Sequence, residues 1–434
     1  MAALEVAAGL RERLLACGQG HLLEQALALD PALGTALLAE AAGEPWEALR
    51  KAALAGAAPP PPELRPPSCL TLRRQQAVGG LRTRLAALGR QRLAEGRVAT
   101  LLLAGGQGTR LGHPGAKGTF VLGPRPDRTL YAVLAERVAR ASREAGRPIP
   151  LVVLTSPATD AETRAALGEP GRHGLQGGQV EFVLQRTLPV LDGAGRALLD
   201  GPHALLRAPD GHGGALGALE AAGTLARLEA QGVEVLTTFQ VDNPLGRPLD
   251  PVMLGWMRER SLQVVGTAVR RASPEERVGM FARDLDGRLR VVEYSELEGL
   301  PAARELALGS IALHALDLPW LRSLPLRDPA FLPLHPARKR VEAFDPAHGA
   351  RRAQDAIKCE RFLFDVFPWA ARGEVQEVDR AREFAPVKNA SGSDSPETAR
   401  ALVEAEVRRW HAERGLPVHD PVAHEPLVLD AEVA

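Results

Sequence analysis

The amino-acid sequence predicts an α/β protein built on a mostly parallel sheet, and three observations carry that prediction. Short apolar runs, VATLLLA (98–104), PLVVLTS (150–156) and VEVLTTFQV (233–241), alternate with longer helical stretches. Strands separated by helices need crossover connections, and such connections make parallel neighbours. Two of the runs end in ligand-type loops, the glycines after residue 104 and Asp242-Asn243, as expected where ligands bind beyond the carboxyl ends of strands. Finally, 45% of the 434 residues are apolar and 24% charged, enough to bury a full core in two or three domains.

In chain order, residues 1–55 carry leucines at helical spacing (Leu10, Leu14, Leu22, Leu23, Leu27) and read as a small helical region. PPPPELRPP at 59–67 cannot be helix and reads as an extended connector. A helix is expected over 71–95, then the 98–104 strand, a helix at 128–145, and strands at 150–156 and 180–185. A helix at 213–231 and the 233–241 strand follow, with further strands at 262–271 and 289–296. IKCERFLFDVFPWA (357–370) reads as an apolar helix, VQEV as a short strand, and 396–413 as a helix opened by Ser395-Pro396. The expected division is a helical region over 1–95, a catalytic core over 96–340 and a C-terminal region over 341–434.

Lys+Arg and Asp+Glu are both 53, so no global attraction to nucleic acid or to anionic lipid is expected. No apolar run approaches the roughly 18 residues that a membrane span requires. The start lacks the basic and apolar regions of an export signal, and Cys17, Cys69 and Cys359 form neither a disulfide framework nor a zinc cluster. A cytoplasmic protein is expected. Lysine occurs five times against 48 arginines, and asparagine only at 243 and 389. Lys117 nevertheless falls beside the glycine loop, where a compact charge on a flexible stem does what a planar fork does not.

That loop, Gly105-Gly106-Gln107-Gly108-Thr109-Arg110-Leu111-Gly112, lacks the third glycine of the dinucleotide fingerprint, which argues against a dehydrogenase. It also lacks the Gly-Lys-Ser/Thr of a Walker loop. What remains is a strand feeding exposed N–H groups that can wrap a phosphate chain, with Arg110 able to fork onto a phosphate. Other readings are ordinary ones. Asp242 at a strand end could be a helix N-cap, Gln185 an edge-strand surface residue, Glu293 part of an amphipathic strand, and Lys388 a solvated loop charge.

The run L-A-G-G-x-G-T-R-L-G, followed five residues later by Lys-Gly, resembles the signature of eukaryotic-type UDP-sugar pyrophosphorylases, above all the UDP-N-acetylglucosamine pyrophosphorylase branch. The similarity continues in the same order through LQRTLPVL (184–191), APDGHGGALGAL (208–219), VDN (241–243) with Asp250-Pro251, and PEERVGMF to VVEYSEL (274–297). It extends to AIKCERFLFDVF (356–367) and EFAPVKNASGSDSPETAR (383–400). The resemblance implies a nucleotide-diphospho-sugar transferase fold, a Rossmann-like mixed-sheet core with N-terminal helical and small C-terminal additions. It also implies a reaction in which a sugar-1-phosphate oxygen attacks the α-phosphorus of UTP and pyrophosphate leaves. Such catalysis reduces to positioning and charge neutralisation.

Residue by residue, the resemblance implies that Gly105, Gly106, Gly108 and Thr109 cradle the nucleotide, and that Arg110 and Lys117 hold the triphosphate. Gln185 reads the uracil edge and Gly211 approaches the nucleotide. Asp242 coordinates Mg²⁺, Lys388 reaches the sugar-linked phosphate, and His212, Asn243, Glu293 and Ser310 meet the sugar. UTP and a sugar-1-phosphate are the implied partners. Three positions depart from the pattern. Ala116 stands where proline normally precedes the lysine, an exchange that predicts a looser loop. His212 and Ser310 stand where the hexosamine branch carries amides, which leaves UDP-glucose or broad UDP-sugar synthesis as the alternative. A catalytically silent UDP-sugar sensor is the alternative of another class, and retention of Lys117 and Asp242 argues against it.

Overall fold

The computed structural model describes residues 6–55, 63–123, 126–297, 302–413 and 415. The chain divides into two compact units, each assembled from separate stretches. One takes residues 60–184, 218–325 and 366–434, and the other takes 1–59, 185–217 and 326–365. These are different partitions from three consecutive segments, because strands far apart in sequence pair in each unit.

In the larger unit the described residues form a ten-stranded sheet. Its main path runs Cys69–Leu70, Gly373–Glu377, Val264–Arg270, Leu308–Asp317, Val235–Gln240, Val98–Leu103, Leu151–Thr155, Val180–Leu184. Leu308–Asp317 is antiparallel to both of its neighbours, and the remaining pairs along the path are parallel. A hairpin of Met280–Arg283 and Leu289–Val292 joins at the antiparallel strand. Val98–Leu103 and Leu151–Thr155 are buried along their whole length, which is why they read as continuous apolar runs rather than alternating ones. Helices Leu81–Ala94, Leu130–Glu144 and Pro251–Glu259 contribute to the core of this unit.

Helix starts follow local chemistry. Thr129 accepts from Ala132 N–H at 3.1 Å to open Leu130–Glu144. Asp250 accepts from Val252 N–H at 3.0 Å, with Pro251 in the first turn, to open Pro251–Glu259. These are N-caps of the favoured kind. Two expected helices are each broken at a glycine with positive φ. The 71–95 stretch divides into Leu72–Ala77 and Leu81–Ala94 before Gly80 (φ 71°), and 213–231 into Gly214–Ala221 and Thr224–Ala230 before Gly223 (φ 72°). The expected 289–296 strand stops at Val292, and Tyr294–Leu297 forms a helical turn closed by Leu297 N–H on Glu293 O at 3.2 Å.

Among its described residues the smaller unit carries four N-terminal helices, Ala8–Ala16, Gly20–Ala28, Pro31–Ala42 and Trp46–Ala55, over a cluster that includes Leu14, Leu22, Leu37, Trp46 and Leu49. It also holds a four-stranded sheet whose dominant pair is the hairpin His335–Asp345 and Ala350–Glu360. This overturns the helix expected over 357–370. Ile357 and Cys359 alternate inward with period two, Ile357 exchanges backbone hydrogen bonds with Leu191 (3.0 and 2.7 Å), and the helical part is a 3₁₀ segment, Leu363–Trp369, containing Pro368. Part of the expected 59–67 connector lies outside the described residues. Among the described residues no helix is long and apolar enough to cross a membrane.

Candidate active site

Val98–Leu103 and Val235–Gln240 lie side by side in parallel register, Leu103 beside Gln240. The glycine loop and the Asp242-Asn243 turn therefore leave the sheet at the same edge as neighbours. Ser156, past the next strand, anchors the loop's start by donating its hydroxyl to Gly105 O at 2.9 Å. Gly106, Thr109 and Arg110 are exposed, and Thr109–Leu111 forms a 3₁₀ turn. This cationic, glycine-bearing loop is open to solvent at those positions, as a phosphate-wrapping loop requires.

The loop is not looser for lacking proline at 116. Ala116 donates its N–H to a Glu162 carboxylate oxygen at 2.6 Å, a bond that proline, having no N–H, would forfeit. Lys117 N–H on Gly106 O (3.1 Å) and Gly108 N–H on Gly115 O (3.0 Å) tie the two limbs together. Thr119 donates to Ala116 O at 2.8 Å. Lys117 is thus delivered on a pinned backbone. Its Nζ lies 3.2 Å from Asp242 Oδ2, with both side chains largely buried at 15% and 13% exposure. Asp242 caps no helix, since that position belongs to Asp250.

The segment bearing Lys388 is bound to the same turn. Asn243 Nδ2 donates to Glu383 O (2.8 Å), Asn243 Oδ1 accepts from Ala385 N–H (3.0 Å) and Leu245 N–H (3.3 Å), and Val387 N–H reaches Asp242 O (2.8 Å). The Asn243 side chain, expected among the sugar contacts, is thereby occupied with the protein's own backbone. Lys388 Nζ sits 3.9 Å from Asp394 Oδ2 and 5.7 Å from the Phe384 ring centroid. Glu293 and Ser310 meet around Gly279. Ser310 N–H bonds Gly279 O at 2.8 Å, and a Cβ on Gly279 would lie 3.2 Å from Glu293 Oε1.

Gln185, Gly211 and His212 belong to the smaller unit. Gln185 is buried and donates Nε2 to Asp210 Oδ1 (3.1 Å) and Gly211 O (2.5 Å). Gly211 has φ 83°, and a Cβ there would lie 2.3 Å from Arg361 O, so both conformation and space call for glycine. His212 Nδ1 accepts Leu363 N–H at 3.0 Å, and its ring stacks on Phe362 at 5.4 Å and 22°. Phe362 stacks in turn on His335, whose Nε2 lies 2.8 Å from Asp365 Oδ2. Sequence reading missed Asp210, Glu162 and this His335–Asp365 pair, because each acts through a neighbour distant in the chain.

Burial among these rings pushes the His212 pKa down to about 4, against the smaller opposing pull of Asp365. The neutral form is the folded form, so its contribution to stability is complete above pH 6.5 and is lost as pH falls through about 4. Asp210 runs the other way, because burial lifts its pKa from 3.8 to about 6. The folded state therefore gains stability from protonating Asp210 over the same window. Comparison with His212→Asn, whose Oδ1 still accepts Leu363 N–H, separates the two. The melting temperature of wild type is expected to drop by a few degrees relative to the variant between pH 6.5 and 4, since a fall from 6.5 to about 4 corresponds to roughly 3 kcal/mol. Parallel melting curves across that range would remove His212 as the titrating group.

Parallel strands deliver a cationic glycine loop beside a carboxylate, an arrangement suited to nucleotidyl transfer. The chain belongs to the UTP–glucose-1-phosphate uridylyltransferase family, whose model matches residues 74–305, and it is an enzyme of the UTP:sugar-1-phosphate uridylyltransferase class. It is 34% identical over 344 residues to UDP-N-acetylglucosamine diphosphorylase 1 of Arabidopsis thaliana, covering 74% of this chain and 67% of that protein. It is 35% identical over 433 residues to human UDP-N-acetylhexosamine pyrophosphorylase-like protein 1, covering 93% and 85%. Among solved structures, the uridine diphosphate N-acetylglucosamine pyrophosphorylase of Trypanosoma brucei superposes with a TM-score of 0.78 at 26% identity, over 96% of this chain and 90% of that one.

Proposed function

We propose that the protein makes UDP-N-acetylglucosamine and pyrophosphate from UTP and N-acetylglucosamine-1-phosphate, and accepts glucose-1-phosphate as a second substrate. The observation that carries the reading is the Lys117–Asp242 pair at 3.2 Å beside the glycine loop. An ammonium for the departing pyrophosphate and a carboxylate for its counter-cation are stored as a pair. Arg110 adds a fork for the triphosphate, and Lys388, whose segment is tied to the Asp242 turn, meets the sugar phosphate.

Mg²⁺ fits this donor set. Among the described residues no three His, Cys, Asp or Glu side chains gather as a metal cage. A hard cation held by one carboxylate and the substrate's own phosphates needs none. When bound, the ion would neutralise phosphate charge, with Asp242 as its protein ligand. The rest is the work of the chain: the glycine loop orients the triphosphate, Lys117 stabilises charge on the leaving pyrophosphate, and Lys388 steadies the attacking phosphate.

Relatives named for N-acetylglucosamine and N-acetylhexosamine support the choice of sugar. His212 is compatible with it. With Nδ1 committed to Leu363 N–H, the neutral ring carries its hydrogen on Nε2, a donor suited to an acetyl carbonyl or to a hydroxyl. Pyrophosphate release from UTP with a panel of sugar-1-phosphates tests the reading. The expected result is turnover of both sugars, with UTP preferred over ATP and CTP, and a shift in kcat/KM towards the N-acetylated sugar in the His212→Asn, Ser310→Asn double variant. A thousandfold rejection of N-acetylglucosamine-1-phosphate relative to glucose-1-phosphate would overturn the sugar assignment.

A further inference from the structure

We infer that Asp210 is a positioning residue for base choice: it holds the Gln185 amide in one orientation, so that this side chain presents an acceptor to the nucleobase. The inference rests on the reading that Gln185 meets the base edge.

The orientation is dictated by chemistry. A carboxylate and a peptide carbonyl only accept, and both bond the same end of Gln185, Asp210 Oδ1 at 3.1 Å and Gly211 O at 2.5 Å. That end must be the NH₂, so Oε1 is the end left for a base. Uracil presents an N3–H donor, whereas cytosine presents a bare N3 acceptor. An Oε1 presented to the base accepts from the first and repels the second. Reversed, the amide would favour cytosine and would set Oε1 against Gly211 O.

Asp210 can hold Gln185 because it is itself held. It is 2% exposed. Its backbone N–H donates to Arg186 O (3.1 Å), its carbonyl accepts Arg361 N–H (2.7 Å), and its Oδ2 lies 3.7 Å from Arg361 Nη1. The Arg361 guanidinium is anchored on Pro329 O at 2.6 Å. Oδ1 thus meets the Gln185 donor and Oδ2 faces the Arg361 charge. An amide at 210 cannot do so: turning its oxygen to Arg361 points an NH₂ at the Gln185 NH₂. Gly214 supplies the room, since a Cβ there would lie 2.0 Å from Asp210 Oδ1.

The test is the UTP:CTP ratio of kcat/KM in the full chain, in wild type, Gln185→Ala, Asp210→Asn and Gly214→Ala, with melting temperatures alongside. Gly214→Ala keeps the charge and displaces the carboxylate, so it reads the same geometry even if Asp210→Asn does not fold. The expected result is a ratio that falls ten- to a hundredfold in Asp210→Asn and Gly214→Ala, as for loss of a buried hydrogen bond, with UTP losing and CTP gaining. If Gln185→Ala loses discrimination while both other variants keep the wild-type ratio, Asp210 does not position the amide and the inference falls. An equal loss for both nucleotides would assign Asp210 to structure alone and likewise overturn it. If wild type shows no preference, or Gln185→Ala keeps it, the underlying reading of Gln185 falls as well.

Discussion

Lys117→Ala is expected to lower kcat by about 10²–10³ while KM for UTP changes far less. A fixed cation that meets charge appearing on the leaving pyrophosphate acts chiefly in the transition state, and deleting such a contact costs on that order. The fold should tolerate the change, because the loop is held by the backbone bonds of Lys117, Gly108 and Ala116 and not by the ammonium. The measurement is steady-state pyrophosphate release at varied UTP, with a melting curve as control. A change confined to KM would place Lys117 in ground-state binding.

Asp242→Asn is expected to cost on the order of a hundredfold in turnover, most severely at limiting Mg²⁺, since it removes a charged ligand and keeps the shape. Its carbonyl still accepts Val387 N–H, so the Lys388 segment should stay docked. The variant also deprives Lys117 of its partner at 3.2 Å. Affinity for UTP without metal is therefore expected to rise, an opposite sign that unfolding would not mimic. Turnover within twofold of wild type at limiting Mg²⁺ would show that the carboxylate is not the cation's ligand.

Much of this was legible in the chain because it is local. A buried parallel strand announces itself as an unbroken apolar run, and a strand-end loop by its glycines, so the core around Val98–Leu103 and Val235–Gln240 was readable. The Leu308–Asp317 strand was not, since LGSIALHALD carries neither turn signals nor clean alternation, and its place is set by partners far away. The 357–370 error has the same root: apolar spacing there mixes a strand's end with a 3₁₀ segment. At the site, Asp242 stood out as an acid at a strand end and Lys117 as a rare lysine beside the glycine loop. Asn243 also stood out, yet its amide serves Glu383 and Ala385, a use that only the fold reveals. The pinning of Ala116 by Glu162 was hidden for the same reason.

The Gly373–Glu377 strand slots between Cys69–Leu70 and Val264–Arg270, and this has a consequence during synthesis. Residues 264–270 are made long before the strand that covers them. At about 5–20 residues per second, the roughly hundred intervening residues occupy the ribosome for on the order of 5–20 s. Through that interval the nascent sheet presents VVGTAVR as an open, β-prone edge, the kind that pairs with other chains unless something shields it. Lys388 emerges only just behind the covering strand. Closure of the adhesive edge and arrival of Lys388, the proposed sugar-phosphate contact, are therefore nearly one event in translation, and a chain cut short before residue 373 would keep that edge open and be prone to aggregate.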